Sequence, residues 1–365
     1  MENRKTIDYI LLSVVIALML LGLIMILSAS SIRALEDFND SFYLFRHQLA
    51  WSVIGVLAMI FFMNLDYHIY QKYAKLILVL TIIALIMVLI PGIGKVVGGS
   101  RRWIIFGPIR IQPSELAKLG MVIYLSQFFA RKGEKVKSFT EGLMPPLIIL
   151  GIVFLLILLE PDLGTAITIA GTVFIMLFVA GARYAHLGLL ILISIPLLLV
   201  FIYSEDYRRE RLFSFLDPWS DPLNTGYHII QSLLALGSGG IFGVGLGQSK
   251  QKFLYLPEPG TDFIFAIIGE ELGLIGTLLV LFLFFLFAWR GLKIAIGVPD
   301  LFASLLATGI TSMVILQALI NIAVVTSSMP VTGITLPFIS YGGTSLVIML
   351  SSVGILLNIS RYALE

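Results

Sequence analysis

Ten stretches of this 365-residue chain are each long and apolar enough to cross a bilayer, and few folds accommodate that. They are residues 9–27, 48–64, 74–91, 114–130, 143–159, 163–181, 184–203, 263–289, 302–327 and 340–359. A spanning helix needs roughly 17–25 residues, and in hydrocarbon its backbone polar groups must be satisfied within the protein. With 58% hydrophobic residues, 13% charged residues and a mean hydropathy of +1.01, no soluble core could hide the apolar surface. The sequence therefore predicts an all-α, polytopic integral membrane protein. It has ten transmembrane helices in one domain over residues 1–365 and one large extracytoplasmic loop at about 204–261.

Two boundaries need argument. The stretch 143–181 is twice the length of one span and carries Glu160-Pro161-Asp162 in its middle. Proline cannot continue a helix and paired carboxylates are costly at the bilayer centre, so a hairpin turning at a membrane surface is expected. The first run, 9–27, is 19 residues, too long for the core of a cleaved signal peptide.

An even number of spans puts both termini on one side. If that side is cytoplasmic, the inner segments hold Arg4, Lys5, Lys72, Lys75, Arg131, Lys132, Lys135, Lys137, Arg183, Arg290, Lys293 and Arg361. The short outer loops then hold only Arg33, Arg46, Lys95, Arg101, Arg102 and Arg110. This bias predicts cytoplasmic termini. Loops 31–47, 92–113 and 204–261, and the Glu160–Asp162 turn, then face outward, and function is to be sought there.

Several chemistries are excluded or unsupported. A net charge of +2 gives no reason to expect nucleic acid, and the chain has no cysteine. His47, His68, His186 and His228 are scattered without metal-ligand spacing. The glycine-rich stretch 237–247 matches neither a dinucleotide fingerprint nor a P-loop.

Polar residues at the predicted outer boundary carry what signal there is. Asp262, after Leu256-Pro257-Glu258-Pro259-Gly260-Thr261, abuts an apolar helix. Beside Lys250, Lys252 and flexible glycines it could receive a phosphate-bearing lipid, or it could simply cap that helix. Arg101 and Arg102 suit a pyrophosphate, whose oxygens match guanidinium forks, and suit anionic headgroups equally well. Ser114 is placed to cap the fourth span, and Glu115 and Lys118, three apart, should form an ion pair. Asp162 begins another helix. Glu270, about 80° around the helix from Asp262, could face the same cavity, whereas Glu271 falls opposite. Pairing with a buried base is expected for both.

The segments Gln112-Pro-Ser-Glu115, Glu160-Pro-Asp-Leu-Gly164, Tyr255 to Gly273 and Pro330 to Gly343 resemble the SEDS proteins (shape, elongation, division and sporulation) in order along the whole chain. Thr335 before Leu336-Pro337 resembles the division and sporulation branch, FtsW and SpoVE, more than the elongation branch, RodA. The resemblance implies a ten-helix fold and a peptidoglycan glycosyltransferase of the bacterial cytoplasmic membrane. Its substrate would be lipid II, an undecaprenyl-pyrophosphate-linked disaccharide-pentapeptide, and its partner a single-pass class B penicillin-binding transpeptidase. It places the family's essential aspartate on Asp262.

An α-linked donor giving a β-1,4 product requires inversion, for which one base at the acceptor hydroxyl suffices. Asp262 is expected to be that base. Arg101, Arg102, Lys250 and Lys252 are expected to meet the pyrophosphate, and Glu115, Lys118, Asp162 and Glu258 to line the substrate cavity. No metal ligand set is expected, although a divalent cation (Mg or Mn) assisting the pyrophosphate stays open. Two other classes compete: a lipid II flippase, and a non-catalytic scaffold for the transpeptidase.

Overall fold

The computed structural model describes residues 6–97, 100–107, 109–253 and 255–364. Arg4 and Lys5 of the charge count lie outside them. Each predicted span is a helix: α1 (Tyr9–Phe38), α2 (Tyr43–Asn64), α3 (His68–Leu89), α4 (Pro113–Lys132), α5 (Met144–Leu159), α6 (Leu163–Val179) and α7 (Tyr184–Tyr203). After two short helices, α8 (Asp206–Leu216) and α9 (Tyr227–Gly239), come α10 (Ile264–Gly297), α11 (Leu301–Val325) and α12 (Gly343–Ser360). Among the described residues eight of the ten spans are long and apolar enough by length and composition, α5 together with the π-helical turn Phe139–Leu143 that precedes it. The other two are α4, which carries Glu115 and Lys118, and α6, with 17 residues.

The loops hold more structure than the sequence suggested. Residues 92–113 include a small antiparallel sheet, β1 (Gly94–Val97), β2 (Ser100–Phe106) and β3 (Ile109–Ile111), in that order. Loop 31–47 is mostly helix, because α1 runs on to Phe38 and α2 starts at Tyr43. Ser114 does not cap α4: Gln112 occupies that position and Pro113 is the first helical residue. Proline suits that position because the first amide there has no acceptor in any case.

The bundle is organised around α11 and α12, buried along most of their length, whereas α7 buries only Leu187. At the end away from loop 204–261, Asp8 caps α1 through the Leu11 amide at 2.9 Å and pairs with Arg290 at 2.6 Å.

One connection positions the site. The segment between α11 and α12 folds back into the bundle: a Cβ on Gly22 would lie 2.7 Å from Ile339 Cα. Gly22 is five residues inside the apolar run of α1, about 7 Å along the helix axis at 1.5 Å per residue. Irregular backbone at such depth survives only when enclosed by protein, and Leu336, Phe338 and Ile339 are fully buried.

Candidate active site

Asp262 sits directly above this inserted segment. The Gly260 carbonyl accepts from the Tyr341 amide at 2.8 Å, and the Thr261 carbonyl accepts from Ser340 Oγ at 2.6 Å. The Asp262 carbonyl accepts from Asn321 Nδ2 of α11 at 2.8 Å, and the same amide reaches the Ile334 carbonyl at 2.7 Å. The main chain of residues 260–262 is thus fastened at three successive carbonyls.

The carboxylate is left open. Phe263 caps α10 with no side-chain hydrogen bond, so Asp262 is not a helix cap. Among the described residues, no hydrogen-bond donor reaches its oxygens. Gly333, at φ +74°, runs alongside: a Cβ there would lie 3.6 Å from Asp262 Oδ2. Burial pushes the Asp262 carboxyl up to about 6. Glu258 and Asp162 add to the rise through their negative charge, and Arg102 and Arg211 oppose it.

Those four neighbours are themselves held. Glu258 pairs with Arg33 of α1 at 2.9 Å and accepts from Thr261 Oγ1 at 3.1 Å. Arg211 of α8 reaches the Val331 carbonyl at 3.2 Å, bringing the loop helix over the inserted segment. Asp162 caps α6 through the Thr165 amide at 3.2 Å and accepts from Thr165 Oγ1 at 3.0 Å and Gln112 Nε2 at 3.1 Å. Arg102 donates to the main-chain carbonyls of Glu160, at 3.0 Å, and Pro161. His228 of α9 completes the rim, its ring stacked on Phe263 at 5.8 Å.

Glu160, in the same turn, is fully buried, and neither carboxyl oxygen has a hydrogen-bond partner among the described residues. Burial and the neighbouring Asp162 charge raise it to about 9 against the pull of Arg102. It is therefore a neutral acid near pH 7.

Glu115 and Lys118 form the expected ion pair, at 2.8 Å and almost wholly buried. Ser345 of α12 donates to Glu115 at 2.8 Å, Lys118 donates to Gln317 of α11, and Gln317 donates to the Thr335 carbonyl at 3.0 Å. This chain braces the inserted segment one residue along from the Asn321 contact, on the same face of α11.

Three expected phosphate ligands lie elsewhere. Arg101 and Arg102 leave β2 on opposite faces, as neighbours in a strand must. Only Arg102 turns toward Asp262, while Arg101 donates to the Leu89 carbonyl at the end of α3, at 3.0 Å. Lys252 is buried and spent on Glu271 at 3.1 Å and the Gly247 carbonyl at 2.6 Å. Lys250 is exposed, and among the described residues only its main-chain amide is engaged. Glu271 takes the buried base that was expected for both glutamates. Glu270 takes none and faces the loop 249–251 rather than the Asp262 cavity.

Arg211, Arg33, Gln317 and Asn321 were not anticipated. For the last two a signal existed: two amides four apart share one face of an otherwise apolar span, where polar groups are rare and specific. For the arginines none did, because their partners are remote in sequence.

The FTSW_RODA_SPOVE family model, described as a cell cycle protein, matches residues 8–365. The stage V sporulation protein E of Bacillus subtilis (strain 168) is 51% identical over 364 residues, covering 100% of both chains. The probable peptidoglycan glycosyltransferase FtsW of Geobacter metallireducens is 43% identical over 353 residues, 97% of this chain and 94% of that one. Among solved structures, one described as showing structural coordination of polymerization and crosslinking by a peptidoglycan synthase complex matches with TM-score 0.81. It has 31% identity and covers 97% of this chain and 98% of that one. The rod shape determining protein RodA of Thermus thermophilus matches with TM-score 0.70 and 27% identity over 98% of both chains.

Proposed function

The chain belongs to the FtsW/RodA/SpoVE family of cell cycle proteins, and from that premise we propose how its site works as a peptidoglycan glycosyltransferase. Asp262 is the general base for polymerisation of lipid II. It takes the proton from the acceptor sugar's 4-hydroxyl while that oxygen bonds to the anomeric carbon of the donor. The bond from that carbon to the pyrophosphate oxygen breaks, the electron pair leaves with the pyrophosphate, and the configuration inverts.

The observation that carries this reading is the open Asp262 carboxylate, uncapped and unpaired, on a backbone fastened at three carbonyls. Pushed up to about 6, it is ionised near pH 7 yet basic enough to accept a proton. Arg102 and Arg211, the two cations that act on it, stand where a pyrophosphate leaving group needs positive charge. Among the described residues no three carboxylates or histidines cluster as a resident metal site. A divalent cation that assists the pyrophosphate would then enter with it, and in that case a chelator slows turnover without lowering the thermal midpoint, whereas unchanged turnover rules the cation out.

The inward lysine and arginine bias supports cytoplasmic termini and an outward-facing Asp262. A C-terminal reporter active only outside the cytoplasm would reverse that orientation. The match to a synthase complex that couples polymerization with crosslinking supports a class B penicillin-binding transpeptidase as partner. Full activity of the isolated chain, unchanged when that protein is added, would remove it.

The deciding experiment supplies lipid II in detergent, where nothing needs to be translocated, to the purified chain with its partner. Wild type should form glycan polymer and Asp262→Asn should not, with a loss of roughly 10²–10⁴-fold. Folding should be kept, since no hydrogen bond to the carboxylate is lost. No polymer from wild type would favour a flippase or scaffold, and near-normal polymer from Asp262→Asn would end the assignment of the base.

A further inference from the structure

Helix α10 is broken about two and a half turns below its head. Gly273 has φ 66° and ψ −160°, so the segment 264–272, which begins two residues after Asp262, is not continuous with the rest of the helix. The backbone groups freed there are taken up by the glycine-rich loop after α9. Val244 and Gly245 amides donate to the Glu270 and Glu271 carbonyls at 2.9 and 3.1 Å, and Leu274 and Ile275 amides donate to the Gly240 and Ile241 carbonyls at 2.9 and 3.2 Å. The two backbones touch: a Cβ on Gly273 would fall 2.3 Å from the Gly243 nitrogen.

Two buried carboxylates then tie the loop down. Glu270 accepts from the Lys250 amide at 2.9 Å, the Gln251 amide at 3.4 Å and Ser249 Oγ. Glu271 accepts from the Ser249 amide at 3.3 Å, Lys252 Nζ at 3.1 Å and Ser28 Oγ of α1 at 2.7 Å.

We propose that Glu270 is a positioning residue for glycan transfer, closing loop 249–251 over the break in α10 and so fixing the two-turn segment headed by Asp262. It touches neither sugar nor pyrophosphate. The proposal rests on the reading of Asp262 as the base. A displacement of about 1 Å at a reacting group costs roughly 10²-fold in rate, so a slack segment is a kinetic fault before it is a folding fault.

The test uses the full chain with its partner, comparing wild type, Glu270→Ala, Glu270→Gln and Asp262→Asn. Turnover on lipid II is measured beside hydrogen exchange of the amides at 244–251. Glu270→Ala should lower kcat roughly 10²-fold with KM for lipid II unchanged, and should speed exchange at Val244, Gly245, Lys250 and Gln251. Glu270→Gln should recover most of kcat, because its carbonyl oxygen still accepts from the Lys250 amide and the Ser249 hydroxyl can turn to accept from its NH₂. If Gln is as inactive as Ala while exchange stays normal in both, Glu270 acts on the substrate or its proton and the proposal fails. It fails equally if Glu270→Ala keeps wild-type kcat.

Should Glu270→Ala not accumulate folded, Ser249→Ala removes the hydroxyl donor from the loop side. It should lower kcat more mildly with the same faster exchange, and unchanged kcat there would count against the proposal. An active Asp262→Asn would sink the base assignment alone, since the exchange data judge the clamp independently.

Discussion

Asn321 Nδ2 donates to the main-chain carbonyl of Asp262 at 2.8 Å, so α11 holds the backbone of this residue and leaves its carboxylate untouched. Position and reactivity are thereby separated: the parts that locate the group are not the parts that react.

Replacing Asn321 tests that separation. Asn321→Ala loses two main-chain hydrogen bonds in a buried setting, at a cost of about 1–3 kcal/mol. Turnover should fall more steeply than stability, with affinity for lipid II near normal. Thermal melts and steady-state kinetics in one detergent check it, and equal losses in binding and turnover would mean general loosening of the fold.

The pH dependence of kcat follows from Asp262. Its neutral form cannot accept a proton, so kcat should rise with pH through a midpoint of about 6 and then level off. Removing the negative neighbour in Glu258→Gln should move that midpoint down, because Glu258 contributes to the rise. A midpoint near 4 in wild type, or no movement in the variant, would contradict the described electrostatics.

The adjacent arginines should differ. Arg102→Ala removes a cation that favours ionised Asp262 and that is proposed to meet the pyrophosphate, so it should weaken lipid II use and move the acid limb above about 6. Arg101→Ala removes only the contact to the Leu89 carbonyl, and Lys75→Ala lies at the opposite end of the chain's predicted topology. Both should leave KM and the pH midpoint alone. Equal effects at all three positions would point to membrane anchoring.

Glu160 makes a stability prediction. Its native carboxyl is raised to about 9, whereas unfolded glutamate ionises near 4, so between those values the native state holds a proton the unfolded chain releases. Stability should therefore be fullest below about pH 4 and decline toward pH 9, by at most about 1.4 kcal/mol per pH unit. Glu160→Gln cannot release a proton and should flatten that slope. Thermal midpoints of both proteins between pH 5 and 8 decide it, and parallel profiles would show that Glu160 does not titrate as described.

Sequence alone determined the membrane class, the ten spans and the turn at Glu160–Asp162. Apolar length and the cost of buried charge are local properties that a single chain displays in order. Asp262 was marked by a long motif, and the Glu115–Lys118 pair by helical spacing. What only the tertiary structure decided is which groups remain open. Lys252 and Arg101 looked as available as Arg102 until the fold gave Lys252 to Glu271 and Arg101 to the end of α3. The Asp262 carboxylate could have been spent on a helix cap, and it is not, because the chain turns into α10 one residue later, at Phe263. A charged side chain's role depends on what stands opposite it, and in this protein those partners can be separated by 282 residues, as in the ion pair between Asp8 and Arg290.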